Sequence, residues 1–173
     1  MRARTTIFAV IAAIALGGCT ASMTYPEYPG APKADPSLQP MPNLMGDALK
    51  YAHQNIAPGS ELVFNLPPTT PVQVWRLVAK RIGTGRAMTS TDPTTGLVWS
   101  VRQVRLSGGK AEVDVVYPTA APAGAIMQLA TVHFTGSTGQ PFYPTVLQLW
   151  LVPTDGPACA TPQAILDGSP APK

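Results

Sequence analysis

Acid–base chemistry on this chain would run through His53 or His133, its only two imidazoles. Nucleophilic chemistry would need one of them beside a hydroxyl or a thiol. A hydrolytic centre built on His133 with Asp114 or Ser100 is the enzymatic reading. No G-x-S-x-G turn supports it. His53 falls away from the apolar stripe of its own segment and reads as solvent-facing. His133 alternates with Val132 and Phe134 in a strand-like run, so it reads as an open-face residue or one hydrogen-bonded in the core. Two histidines 80 positions apart and two scattered cysteines have no zinc-ligand spacing, so no metal and no cofactor are expected. The "SGGKA" stretch lacks the phosphate-loop pattern, because Val104 stands where the first glycine belongs and Ala111 where a hydroxyl belongs. The expectation is a protein without catalysis.

Charge offers a different chemistry. Arg76, Lys80, Arg81, Arg86, Arg102, Arg105 and Lys110 fall in one segment whose single acid is Asp92, a formal charge of +6 over residues 76–110. Such a segment would attract phosphate, lipid headgroups or acidic glycans, with Arg76, Lys80, Arg81 and Arg86 as the contacts. The alternative is that Arg76, Lys80 and Arg81 solvate the end of a helix, where cations suit the dipole, while Arg105 pairs across a hairpin. Only Trp75 and Trp99 interleave the segment as aromatics, so nucleic acid is not expected as a partner.

The N-terminus orders Arg2 and Arg4, then an uncharged run from Thr5 to Gly18 with the apolar heart "IFAVIAAIAL", then small residues. That is the order of an export signal. As a helix the run would span roughly 21 Å, short of a hydrocarbon core of about 30 Å. Leu16-Gly17-Gly18-Cys19 closes it and resembles the lipobox of bacterial lipoproteins. The resemblance implies cleavage between Gly18 and Cys19, diacylglycerol on the Cys19 sulfur and acylation of the new amino group. Each buried methylene contributes about 0.8 kcal/mol and two chains suffice for stable anchoring. Thr20 after the cysteine, rather than aspartate, implies the outer membrane, facing the periplasm.

Removal of residues 1–18 leaves 155 residues with ten basic and nine acidic side chains, a near-neutral chain of single-domain size. Cys159 is left without an intrachain partner. Residues 19–42, with six prolines between Pro26 and Pro42, read as the lipidated cysteine and a tether. Residues 43–153 read as the globular domain. Residues 154–173 read as a largely flexible tail with one short helical turn around Ile165 and Leu166.

Within the domain, Leu44, Met45, Ala48, Leu49, Ala52 and Ile56 recur at helical spacing before Pro58-Gly59. "SELVFNLP" alternates as a half-buried strand. Thr70-Pro71 and Gly83 bracket "VQVWRLVAKRI", predicting a helix capped by Thr70, with Val74, Trp75, Val78 and Ile82 facing the core. Gly108-Gly109 joins two strand-like runs as a hairpin that pairs Leu106 with Ala111, Arg105 with Glu112 and Val104 with Val113. Strict alternation would then split Trp99 and Val101 from Val104 and Leu106, so a bulge near Arg102-Gln103 is predicted. "IMQLATVHFT" and "TVLQLWLVP" read as two more strands. The last is apolar on both faces, which predicts a central position.

The order helix, strand, helix, four strands predicts an α+β fold: an antiparallel sheet of about five strands with two helices packed on one face. The strand–helix–strand–strand portion, with its tryptophan-bearing helix followed by "TDPTTGLVW", resembles the helix-grip domains of outer-membrane assembly lipoproteins. Fold likeness carries no function with it. The functional expectation is a membrane-anchored cell-envelope lipoprotein, held by lipid on Cys19, that acts as a non-catalytic binding or scaffold module for an envelope protein. The alternatives are an envelope hydrolase using His133 and anionic lipid or glycan binding through residues 76–110.

Overall fold

The computed structural model describes residues 22–88, 92, 97–119, 126–137 and 139–156. The expected signal, Gly18, Cys19, Cys159 and the turn at Ile165–Leu166 lie outside them. The elements in chain order are β1 (Met23–Tyr25), α1 (Met41–Ile56), β2 (Val63–Asn65), α2 (Val72–Ile82), β3 (Arg86–Ala87), β4 (Val98–Ser107), β5 (Lys110–Thr119), β6 (Ile126–Ser137) and β7 (Gln140–Pro153).

The fold is α+β, and its sheet is larger than expected and mixed rather than wholly antiparallel. Seven strands form it in the order β3-β2-β4-β5-β6-β7, with β1 also pairing β4. Strand β2 runs parallel to both β3 and β4, whereas β4 to β7 form an antiparallel meander. The parallel part arises because α2 intervenes as a crossover between β2 and β3, returning the chain in the same direction.

Strand β1 corrects the reading of residues 19–42 as a free tether. Met23, Thr24 and Tyr25 pair with Leu106, Arg105 and Val104, and Tyr25 and Ala34 are buried in the main core. Prolines kept the segment from reading as a folding unit, yet one aromatic residue and a three-residue ladder suffice to seat it on an existing sheet. Thr70 serves this seating: its Oγ1 lies 2.7 Å from the Tyr25 hydroxyl. It does not cap α2, whose N-cap is Pro71 with no side-chain bond. Gly83, at φ +84°, ends α2 as expected.

The hairpin register is the expected one, with Leu106, Arg105 and Val104 opposite Ala111, Glu112 and Val113, and the register shifts between Val101 and Gln103. That bulge brings Trp99, Val101, Val104 and Leu106 onto the helix-covered face together. There they meet Ala111, Val113, Val115 and Tyr117 of β5, Ala130, Val132 and Phe134 of β6, and the apolar stripes of both helices. Trp75 stacks on Phe64 with centroids 5.8 Å apart, and Trp99 on Tyr117 at 5.6 Å. Burying these large rings contributes most per residue to the core.

His53 corrects another expectation. It is 8% exposed, its ring edge-on to Trp99 with centroids 5.1 Å apart, because the last turn of α1 lies over the sheet rather than beyond it. Ser60 Oγ donates its hydrogen to the Ala57 carbonyl at 2.9 Å, so it accepts from His53 Nε2 at 2.9 Å. Burial lowers the imidazole pKa, and a hydrogen bond at Ser60 opposes that effect.

Strand β7 is a further correction. It forms the edge of the sheet, paired with β6 alone among the described residues, although its two apolar faces predict a central position.

Candidate functional site

Alternation along β4 to β7 sends a second set of side chains to the face without helices: Gln103 and Arg105, Glu112 and Asp114, Thr131 and His133, then Val146, Gln148 and Trp150. A register of Asp114 opposite Thr131, and Thr131 opposite Gln148, lines these groups into rungs.

Arg105 grips Asp114 with both terminal nitrogens, at 2.6 and 2.9 Å, and donates to Glu112 from Nε at 2.9 Å and to Gln103 Oε1 at 3.1 Å. The paired carboxylates push the guanidinium pKa upward, partly offset by burial, so the charge is permanent. Thr131 Oγ1 donates to Asp114 Oδ1 at 2.7 Å, and the Trp150 indole N–H donates to Thr131 Oγ1 at 3.0 Å. A relay of hydrogen bonds, charge-assisted where they meet Asp114, therefore crosses four strands and orients one aromatic on the edge strand. Asp114, 8% exposed, accepts from Arg105 on both carboxylate oxygens and from Thr131 on one.

His133 sits beside this ladder. Its Nε2 donates to Gln148 Oε1 at 3.2 Å, and Nδ1 lies 3.5 Å from Glu112 Oε1. The hollow in front of it, about 370 Å³, is lined by Lys110, Glu112, Thr135, Thr145 and Val146, with neither Asp114 nor Ser100 among its walls. Thr145 Oγ1 donates to the His133 carbonyl at 3.1 Å. His133 and Glu112 share this hollow with Thr135 and Thr145, while the acid and hydroxyl expected beside the histidine, Asp114 and Ser100, stand outside it. Among the described residues, no three histidine, cysteine or acidic side chains converge as a metal set.

The basic residues disperse. Arg81 makes a two-point ion pair with Asp47 at 2.7 Å on each side. Arg86 is held by Asp92 at 2.8 and 2.9 Å and by Glu61 at 2.8 Å. Arg102 donates to Thr154 Oγ1 at 2.9 Å. Arg76 and Lys80 lie exposed on the wet side of α2. Of the four candidate anion contacts, two are therefore matched by carboxylates from other parts of the fold. The Asp47–Arg81 pair lines a cleft of about 570 Å³ between the start of α1 and the loops ending the β4–β5 and β6–β7 hairpins, with Leu44, Leu106, Pro141 and Phe142 among its apolar walls. Its two charges satisfy each other.

The exposed surface of β7 is mostly apolar. Val146, Leu149, Trp150, Leu151 and Val152 are all exposed, Leu151 at 79%. The 14 residues of β7 include no charged side chain. The register steps from Leu129–Trp150 to Gln128–Pro153, leaving Leu151 and Val152 without a partner residue on β6. The opposite edge of the sheet is blunted in the usual ways: β3 is two residues long and one of them is Arg86. β7 has neither device, and between Pro144 and Pro153 it runs eight residues without proline.

Thr131, Gln148 and Trp150 are functional candidates that spacing alone did not single out. Their signal was present as polar residues at alternate positions of "IMQLATVHFT" and "TVLQLWLVP", uninterpretable until strand order placed them beside Asp114. No protein-family profile, curated protein or solved structure matches the chain.

Proposed function

We propose that this chain is a cell-envelope lipoprotein, anchored through lipid on Cys19 in the outer membrane and facing the periplasm, whose folded part is a non-catalytic protein-binding module. The observation that carries the binding reading is β7: an uncharged edge strand with exposed Leu149, Trp150, Leu151 and Val152, its tryptophan held in place by Thr131. Oriented aromatics beside open backbone groups are the usual anchors of strand-addition interfaces. Asp114 and His133 are bonded on the open face to Arg105, Thr131 and Gln148, and the candidate anion contacts Arg81 and Arg86 are engaged by acids. The described residues contain no helix long and apolar enough to cross a membrane, so the lipid supplies the attachment in this reading.

Photo-crosslinking in intact cells tests it. A probe at Leu151 is expected to give a discrete protein adduct, while a probe at Gln73, on the exposed side of α2, gives none. Absence of any adduct at Leu151 overturns the binding role. Fatty-acid labelling that persists in Cys19→Ser overturns the anchor.

A further inference from the structure

We propose that the occupant of the β7 edge is a second copy of the chain, joined by antiparallel β7–β7 pairing about a two-fold axis through Leu149. This inference rests on the reading of the domain as a protein-binding module and names its partner.

The edge sequence Val146-Leu147-Gln148-Leu149-Trp150-Leu151-Val152 reads nearly the same in both directions about its central leucine. Antiparallel pairing of a strand with itself sets residues equidistant from the axis opposite each other, so a near-palindromic edge meets its own kind across the axis. Val146 then faces Val152 of the partner subunit, Leu147 faces the partner's Leu151, and the two Leu149 residues face each other. Gln148 alone meets an unlike residue, the partner subunit's Trp150. The axis stands perpendicular to the sheet, so the faces keep their identity. Leu147, Leu149 and Leu151 extend the helix-covered layer of both copies, and Val146, Trp150 and Val152 extend the open one.

Charge and register favour a copy over an unrelated partner. With no charged side chain on β7, bringing two identical edges together meets no like-charge repulsion, the usual barrier to self-association at an edge. Leu151 and Val152, displaced from β6 by the register step, are the residues that reach across to the partner's Leu147 and Val146. The axis about Leu149 also keeps Pro144 outside the paired run, whereas a two-fold through Gln148 would set it opposite Val152 of the partner subunit.

Disulfide trapping measures the register. On the axis, the two Leu149 Cα atoms would lie about 4.5–5.5 Å apart, inside the disulfide window of about 4.4–6.8 Å. The full-length chain carrying Cys159→Ser and Leu149→Cys, purified in detergent and oxidised, is expected to run as a covalent dimer without reductant. The same background with Gln73→Cys is expected to stay monomeric. Independently, sedimentation velocity at micromolar concentration should show a dimer for the natural chain and a monomer for Leu149→Lys, with unchanged near-ultraviolet circular dichroism showing that the variant is folded.

A monomeric natural chain, or a dimer that persists in Leu149→Lys and is not trapped at position 149, overturns the proposal. So does protection, in a monomer, of the β7 amides that face away from β6, which would mean that another part of the chain covers the edge. If the chain is monomeric yet a Leu151 probe captures a different envelope protein, self-pairing fails and the binding-module reading stands. If neither dimer nor adduct is seen, both fail.

Discussion

Trp150 and Asp114, on strands separated by β6, are joined through a single hydroxyl. The indole N–H donates to Thr131 Oγ1 at 3.0 Å, and that hydroxyl donates to Asp114 Oδ1 at 2.7 Å. Thr131→Val, nearly isosteric, removes both bonds. It leaves the indole without its acceptor and the carboxylate with Arg105 alone. Urea denaturation should show a loss of about 1–3 kcal/mol. Combining Thr131→Val with Trp150→Phe should cost less than the sum of the two single changes, since each breaks the same bond.

His53 makes stability depend on pH. Its folded pKa lies below the ordinary value of about 6.5 because burial disfavours the charged ring. Below about pH 6.5 the unfolded chain therefore binds a proton that the folded chain resists, and stability falls as pH drops toward the folded pKa. Above that window the group contributes no pH dependence. Unfolding free energies at pH 7.5 and pH 5 should differ more in the natural chain than in His53→Gln.

Gly46 is the contact point of the two helices. A Cβ added there would lie 2.8 Å from both Cβ and Cγ of Arg81, atoms close to the α2 backbone that cannot swing aside, and Arg81 is further fixed by Asp47. Gly46→Ala should therefore destabilise by about 1–3 kcal/mol through overpacking, against the gain of about 1 kcal/mol that alanine ordinarily brings to a helix. Thermal melts of Gly46→Ala beside an exposed-site control, Gln54→Ala, would measure it.

Tyr25 tests whether the proline-rich segment belongs to the domain. Tyr25→Phe keeps the buried ring and loses the 2.7 Å contact with Thr70, an expected cost of about 1 kcal/mol. Tyr25→Ala empties the site and should cost about 3–5 kcal/mol. Equal, negligible effects of the two changes would mean that β1 detaches freely.

The features legible in the sequence share a short range. Gly108-Gly109 and the apolar residues around it were enough to pair Arg105 with Glu112, and the clash between two alternating sets called for the bulge at Arg102. Gly83 ended α2 where it stands. Each depends on residues within a dozen positions, whose sterics and hydrogen bonds act before any distant strand arrives. Gly46 is a mixed case: glycine lowers helix propensity wherever it stands, and only the approach of Arg81 explains its place in α1.

Burial of His53, seating of Tyr25 and the edge position of β7 depend on long-range placement. Periodicity states which side chains of a strand are apolar, and "TVLQLWLVP" is apolar on both faces. It does not state how many neighbours the strand has, because backbone donors look alike whether a partner meets them or not. The sequence by itself determined the hairpin, the bulge and the helix stop, all decided by local backbone geometry. Only the tertiary structure decided that Thr131 would join Asp114 to Trp150 and that β7 would stand at the rim, since strand order follows from how the whole chain packs.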